Sequence, residues 1–411
     1  MSDSVSPLAP PHFPKLPAVR GFRAAAGRIG LYKQARDDLI VLEFPPDTTV
    51  GGAFTRSATR SADVDWCRAA LGRGGGRARA LVCNAGNSNA FTGARGVAKN
   101  EATVAAAARL AGCAPTEVFL AATGVIGQPM EATRIADALP QHWRLLDSPD
   151  WESLARAFMT TDTFPKGAGA TALLGGVETR VAGIAKGSGM IAPNMATMLV
   201  FLVTDAALSP AVTQALVSAH VDSTFNAITV DGDTSTSDTL LLFATGASRS
   251  PRITDPADPR LAPLSAAVRS VMQDLALQVV RDGEGATKLV RIETRGAVDE
   301  AAARRIGMAV ANSPLVKTAI AGEDANWGRV VAAVGKAGEQ IALEKLSIRF
   351  GGQWTAKNGG WTPYEEAAVD AHMKGREIDI LIDVGVGAGA AVVWTCDLTK
   401  RYIEINGDYR T

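Results

Sequence analysis

The chain has 411 residues, of which 47% are hydrophobic and 20% charged, a balance that fits a well-packed globular protein. Its 42 Lys and Arg equal its 42 Asp and Glu, so the formal net charge is zero. That excludes the basic excess of a nucleic-acid binder and the acidic tail of a protein with a basic partner, and it suits small polar metabolites.

A chain of this length holds two or three ordinary domains or one large interleaved α/β unit. Cys67, Cys83, Cys113 and Cys396 form no CxxC pair and none lies at metal spacing from a histidine, so they read as buried thiols in a reducing compartment with no metal site. His12, His142, His220 and His372 are scattered outside the glycine-rich motifs, which weakens any histidine-based triad. The Pro- and Ser-rich start lacks the apolar core of a signal peptide, and no apolar run reaches the length of a membrane span. Residues 1–20 read as a flexible tail on a cytoplasmic protein.

From Gly21 onward the pattern becomes structured. Leu39 to Phe44 reads as a strand and Trp66 to Leu71 as a short helix. The Gly72–Arg77 run lacks the GxxxxGK[ST] spacing of a phosphate loop and reads as an exposed turn. The strand Ala80–Cys83 runs into Asn84–Gly93, where Asn84, Asn87 and Asn89 make either a structural asparagine-rich turn or a site-lining loop. Asn100 is expected to cap a helix through Leu110. The strand Glu117–Ala122 ends in Thr123-Gly124. That pair can offer a hydroxyl and an unhindered N–H to one point, as an oxyanion hole does, though Thr-Gly also makes ordinary turns. A helix over Trp151–Met159 leads into the polar cluster Thr160–Lys166, and Ala170–Leu174 with Thr179–Ala185 reads as a hairpin.

The hairpin ends at Lys186-Gly187-Ser188-Gly189-Met190, and the chain continues through Ala196-Thr197 into the apolar run Met198–Val203. Thr197 follows a small residue, so little shields the Ala196 carbonyl from its hydroxyl. This suits a chain that cuts itself and then uses the new N-terminal threonine as nucleophile, with its own α-amine as base. The other reading is a threonine capping an ordinary buried strand. Beyond it, Ser209-Pro210 starts a helix to His220. The loop Thr229–Thr239 has a DxD opening but the wrong glycine position and Leu242 where a calcium loop needs glutamate. A strand at Leu240–Ala244, an amphipathic helix at Leu264–Val280, a strand at Lys288–Thr294 and a helix capped by Asp299 follow. Strands are expected at Leu346–Phe350, Ile378–Val384, Ala391–Cys396 and Arg401–Ile405.

The run KGSGMIAPNMATMLVF, followed or preceded in order by ATGVIG, TTDTFPK, DGDTSTSD, DGEGATK, GEDANWGR and CDLTKRYIEINGDYRT, resembles the glutamate N-acetyltransferase / ornithine acetyltransferase family of arginine biosynthesis over Gly21 to Thr411. The resemblance implies an α/β fold of interleaved sheets flanked by helices, shared with beta-aminopeptidases. It implies a cut between Ala196 and Thr197, giving an alpha fragment over 21–196 behind the tail and a beta fragment over 197–411, assembled as two alpha and two beta chains. It assigns Thr197 as nucleophile and Thr123 with Gly124 as oxyanion hole. Thr163, Lys186, Glu284, Asn406 and Thr411 fall at substrate-binding positions, with Lys186 expected on the substrate α-carboxylate and Glu284 on the δ-ammonium of ornithine. Without the resemblance, Lys186 and Glu284 read as solvated loop charges. Ala122 stands where the family often has serine.

The implied activity is transfer of acetyl from N2-acetylornithine to glutamate through an acetyl-threonine, with no bound cofactor. Whether acetyl-CoA is a second donor is not legible in these motifs. One rival is a self-processing aminopeptidase or amidase, in which water takes the acyl group. Another is a non-catalytic metabolite-binding protein that kept the fold.

Overall fold

The computed structural model describes residues 5–192 and 198–408. Ala196, Thr197 and Thr411, three of the expected site residues, lie outside them.

Three sheets organise the described chain. The first has strand order Arg23–Gly27, Leu39–Glu43, Ala80–Asn87, Val118–Val125, antiparallel except for its last, parallel pair. The second has the order Thr49–Phe54, Thr239–Ala244, Leu199–Thr204, Val177–Lys186, Lys166–Leu174. The third runs Gly360–Trp361, Gln353–Lys357, Ser347–Phe350, Glu377–Asp383, Leu289–Ala297, Gly389–Cys396.

The apolar run after residue 197 sits at the centre of the second sheet. All six residues of Leu199–Thr204 are buried, and alternate side chains serve different cores. Leu199, Phe201 and Val203 pack with Leu39, Val41 and Phe119 against the first sheet. Val200 and Leu202 face the helices Pro210–His220 and Ala262–Arg281, with Val212, Leu216, Val271 and Leu275 among their cluster. A strand covered on both faces has no reason to alternate polar and apolar residues, which is why it reads as a continuous hydrophobic run. The third sheet carries a separate core with the helix Glu300–Ala311, including Ile292, Ile306, Ile348 and Ile380.

The second sheet takes strands from both sides of residue 197. Thr49–Phe54 pairs antiparallel with Thr239–Ala244, and Val177–Lys186 pairs antiparallel with Leu199–Thr204 from Val181 opposite Thr204 to Lys186 opposite Leu199. The expected interleaved α/β architecture of sheets flanked by helices is therefore the observed one.

Helix starts follow their local chemistry. Ser209 accepts from the Val212 N–H with Pro210 in the first turn, and Asp299 accepts from Ala302 N–H. Two local expectations fail. Asn100 is not a cap: the helix spans Gly93–Ala111 and Asn100 is buried within it, where its amide oxygen accepts from Asn89 Nδ2 at 3.1 Å. Arg401–Ile405 is not a strand but part of a helix, Lys400–Asp408. It pairs with no sheet: Ile403 is exposed, while Arg401, Glu404 and Ile405 turn to a cavity. The stretch expected as a tail is packed over its described part. Phe13 lies over Gly167, where an added Cβ would come within 2.4 Å of the ring, and Pro17 lies over Gly169 in the same way.

Candidate functional site

The strand Val118–Val125 delivers Thr123 and Gly124 at its C-terminal end. Gly124 has φ +123, and a Cβ there would lie 2.4 Å from the Gly86 carbonyl carbon and 2.7 Å from Asn87 N. Glycine is thus required both by conformation and by the close approach of the neighbouring strand, whose register shifts at Gly86–Asn87. The asparagine-rich loop holds this corner. Asn84 Nδ2 donates to Asn87 O at 2.8 Å, Asn87 Nδ2 to Gln128 O at 2.7 Å, and Ser88 Oγ to Val125 O at 2.8 Å. Asn89 Nδ2 donates to Asp63 at 2.6 Å, and Asp63 also pairs with Lys99 at 2.9 Å with both side chains buried. Of the two readings of this loop, the structural one accounts for these bonds.

Lys186 ends the strand Val177–Lys186 and is buried. Its ammonium donates to Thr160 Oγ1 at 2.7 Å and to Thr123 Oγ1 at 3.3 Å, with Asp162 Oδ2 at 3.8 Å. An ammonium only donates, so Thr123 receives here and its own proton is left to point elsewhere. Burial and the nearby Lys166 charge hold Lys186 below the usual lysine value, against the opposing pull of Asp162 and Glu284.

Beneath Lys186 lies a set of buried charges that no single motif announces. Lys166 Nζ contacts Asp162 Oδ1 at 2.7 Å and Asp282 Oδ2 at 2.6 Å, with all three side chains inaccessible. Burial would raise the Asp162 carboxyl, but Lys166 and Lys186 outweigh it and keep it below the usual carboxylate range. Burial pushes Asp282 up, and the Asp162 charge adds to that against the pull of Lys166. Lys166 is desolvated, yet its two carboxylates raise it above an ordinary lysine. Asp162 also accepts from Gly187 N at 2.6 Å and Thr160 N at 3.0 Å. The network therefore orders the loop after Lys186 as well as the polar cluster. Thr163 joins it by donating its hydroxyl to Asp282.

A cavity of about 740 Å³ opens beside this network, lined by Thr160, Thr163, Asp282 and Glu284 on one side and the C-terminal helix on the other. Glu284 N donates to Ser188 O at 3.0 Å, and Asn406 Nδ2 donates to Glu284 Oε2 at 2.8 Å. Gly189 leaves room for that carboxylate, since a Cβ there would come within 2.5 Å of it. Thr163 and Glu284 are thus gathered at one cavity, with Asn406 held against Glu284. Thr123, Gly124 and Lys186 form a second group, joined to it through Thr160.

The loop Thr229–Thr239 grips both sides of residues 193–197. Asp231 accepts from Met190 N at 2.6 Å and Ile191 N at 2.9 Å, and Thr229 Oγ1 donates to Ile191 O at 2.8 Å. Asp238 accepts from Met198 N at 2.9 Å. Burial pushes Asp231 up and Asp238 well up, and the second Asp238 oxygen has no partner among the described residues. Asp231, which opens the DxD sequence, and Asp238 thus both serve backbone N–H groups.

A sequence model described as the ArgJ family matches residues 23–411. The chain belongs to the ArgJ family. A relative from Rhizobium meliloti, named arginine biosynthesis bifunctional protein ArgJ, is 54% identical over 415 residues, covering 100% of both chains. A Caulobacter vibrioides protein of the same name is 51% identical over 401 residues, covering 97% of this chain and 100% of its own. A crystal structure of the ArgJ protein of Bacillus halodurans is 37% identical and covers 51% of this chain and 98% of its own, with a TM-score of 0.49. Among the described residues of this ArgJ family member, no helix is long and apolar enough to cross a membrane.

The residues missed from sequence are Asp162, Lys166, Asp231, Asp238 and Asp282. Asp162 and Lys166 stand four apart in TTDTFPK, a spacing that means an ion pair on a helix but carries no such meaning in a loop. Asp162→Ala is expected to destabilise the protein by about 3–5 kcal/mol, because it strands buried cationic charge. The shift of the urea midpoint at constant slope measures this, and a loss under about 1 kcal/mol would show that the charges relax into solvent.

Proposed function

We propose that the chain cuts itself between Ala196 and Thr197 and then carries acetyl on Thr197 from N2-acetylornithine to glutamate. ArgJ family membership makes it an arginine-biosynthesis enzyme and supports acetyl transfer over the aminopeptidase reading. The observation that carries the mechanism is the Lys186–Thr123 contact, which orients a hydroxyl as donor and places positive charge behind it.

In the proposed reaction the Thr197 hydroxyl attacks the acetyl carbonyl while its α-amine takes the hydroxyl proton. Such an amine has an ordinary pKa of roughly 7.7–8.0, so no histidine is needed. The tetrahedral oxyanion accepts from Thr123 O–H and Gly124 N–H, with Lys186 strengthening the first donor. The C–N bond breaks, the ornithine nitrogen receives the proton and an acetyl-threonine remains. The glutamate amine attacks that ester, its proton returns through the Thr197 amine, and N-acetylglutamate leaves. We assign Glu284 to the δ-ammonium of ornithine, with Asn406 steadying its carboxylate. The cavity walls include Thr160 but not Lys186, so we assign Lys186 to the oxyanion side ahead of the α-carboxylate.

The sheet pairing supports self-cleavage without dissociation. Six residue pairs between Val177–Lys186 and Leu199–Thr204 would still join the two fragments. The reading includes an assembly of two alpha and two beta fragments, a cytoplasmic location and, as the second activity of a bifunctional enzyme, acetyl-CoA as donor to glutamate. An assay with acetyl-CoA as sole acetyl source tests that last point.

Purified protein is expected to run as two bands on a denaturing gel and Thr197→Ala as one inactive band; an intact wild type that still transfers acetyl would sink the mechanism. In cleaved protein, Thr123→Val is expected to lower kcat by roughly 10²–10³-fold, the range for losing one oxyanion donor. Stopped assays of ornithine release give that value, and a change below threefold would remove Thr123 from the hole. The pH profile should be bell-shaped. Transfer rises with pH as the Thr197 amine loses its proton, at roughly 7.7–8.0. It falls again as Lys186 deprotonates, and because its pKa is lowered the fall begins below the usual lysine range. A profile that stays level up to strong alkali would contradict the Lys186 assignment.

A further inference from the structure

The two stages of the proposed reaction need different bases. In acetyl transfer the free α-amine of Thr197 takes the hydroxyl proton. Before the cut that nitrogen is an amide, its lone pair is delocalised into the Ala196 carbonyl, and it cannot serve as a base. Self-cleavage therefore needs another group to take the hydroxyl proton and to give a proton to the departing nitrogen.

Among the described residues, two carboxylates flank residues 193–197. Asp231 is fully engaged. Its Oδ1 accepts from Ile191 N at 2.9 Å and Asp233 N at 3.2 Å, and its Oδ2 from Met190 N at 2.6 Å and the Tyr402 hydroxyl at 3.4 Å. Asp238 is engaged at one oxygen. Its Oδ1 accepts from Met198 N at 2.9 Å, whereas its Oδ2 is buried with no hydrogen-bond partner among the described residues. Thr55 lies beside this carboxyl, but the Thr55 hydroxyl proton goes to the Ser235 carbonyl at 2.7 Å.

The backbone sets where Asp238 stands. Thr239 begins the strand parallel to Leu199–Thr204, with Leu199 opposite Thr239, and Thr239 N donates to Met198 O at 3.1 Å. From the other side, Thr55 N donates to Asp238 O at 3.1 Å. Met198 is thus held at its N–H and at its carbonyl, and its nitrogen is bonded directly to the Thr197 carbonyl carbon. An idle, buried carboxyl oxygen at this point calls for a role. Burial also pushes Asp238 well up, which makes its ionised form a stronger base.

We propose that Asp238 is the general base and acid of self-cleavage, its unpartnered oxygen taking the Thr197 hydroxyl proton and returning it to the Thr197 nitrogen. The Thr197 oxygen attacks the Ala196 carbonyl carbon. The C–N bond breaks as the nitrogen receives the proton, and an ester joins Ala196 to Thr197. Water then adds to that ester, its hydroxyl going to Ala196 and its proton to the Thr197 oxygen. Asp238 ends as it began, and the freed amine takes over as base. The inference rests on the self-cleavage reading and supplies the group that its first step lacks.

The test is Asp238→Asn in the full chain, which keeps an oxygen for the Met198 N–H and removes the base. The chain is made by cell-free synthesis and its cleavage followed on denaturing gels. Transfer from N2-acetylornithine to glutamate is then assayed on the cleaved protein. Wild type that stays intact refutes the self-cleavage reading itself, whatever Asp238 does. Where wild type cleaves, Asp238→Asn is expected to cleave about 10²-fold more slowly, the low end for losing a general acid–base group, while kcat for transfer falls less than about fivefold. Cleavage close to the wild-type rate overturns the proposal. Equal losses in cleavage and transfer overturn it too, because a misplaced Thr197 would slow both stages alike. Asp238→Glu, made alongside, restores a carboxylate and is expected to cleave clearly faster than Asp238→Asn; a Glu variant no faster overturns the assignment. Should Asp238→Asn fail to fold, Asp238→Ala takes its place in that comparison.

Discussion

The burial of Lys166 between Asp162 and Asp282 is the constraint on which the site depends. Three charges with no access to solvent are stable only if each is matched closely. The match ties together pieces far apart in the chain: the polar loop at 160–166, the end of the helix Ala262–Arg281 and the loop after Lys186. Three of the candidate site residues hang on these pieces. Lys186 reaches Asp162, Thr163 donates to Asp282, and Glu284 follows Asp282 by two residues. A hydrophobic filling of the same volume would hold the pieces together but would not orient hydroxyls or set the charge of Lys186.

The second sheet solves a different problem. A chain proposed to sever its own backbone must not come apart. Pairing Leu199–Thr204 between Val177–Lys186 and Thr239–Ala244 sets Leu199 opposite Lys186 within the same sheet. The two faces of that strand serve two cores, so moving it by one residue would exchange the side chains of both. The grip of Asp231 and Asp238 on either side of residues 193–197 adds local control to this sheet-level register.

Much of the fold was legible because local chemistry and final structure agree. The Ser209-Pro210 start, the Asp299 cap and the apolar run after residue 197 each state their own outcome. The failures have physical causes. Arg401 to Ile405 looked like strand because Tyr402, Ile403 and Ile405 favour β structure, but a strand needs an edge to pair with, and the chain end closes the cavity as a helix instead. Asn100 looked like a helix cap because asparagine caps helices, yet its amide oxygen is taken by Asn89 from another loop. The Pro- and Ser-rich beginning looked free because composition does not record that Gly167 and Gly169 leave space for Phe13 and Pro17.

By itself the sequence determined most of the element types it was read for, the ordered motifs that mark the ArgJ family and the bond at Ala196–Thr197 as the place where chemistry is proposed. These are local properties, written in neighbouring residues. Tertiary structure alone decided that Lys186 lies behind Thr123, that Asp162 and Asp282 share one lysine, and that Asp238 meets the Met198 N–H. Each joins positions far apart in the chain, and a contact of that kind is set by which surfaces fold together, something no window of sequence contains.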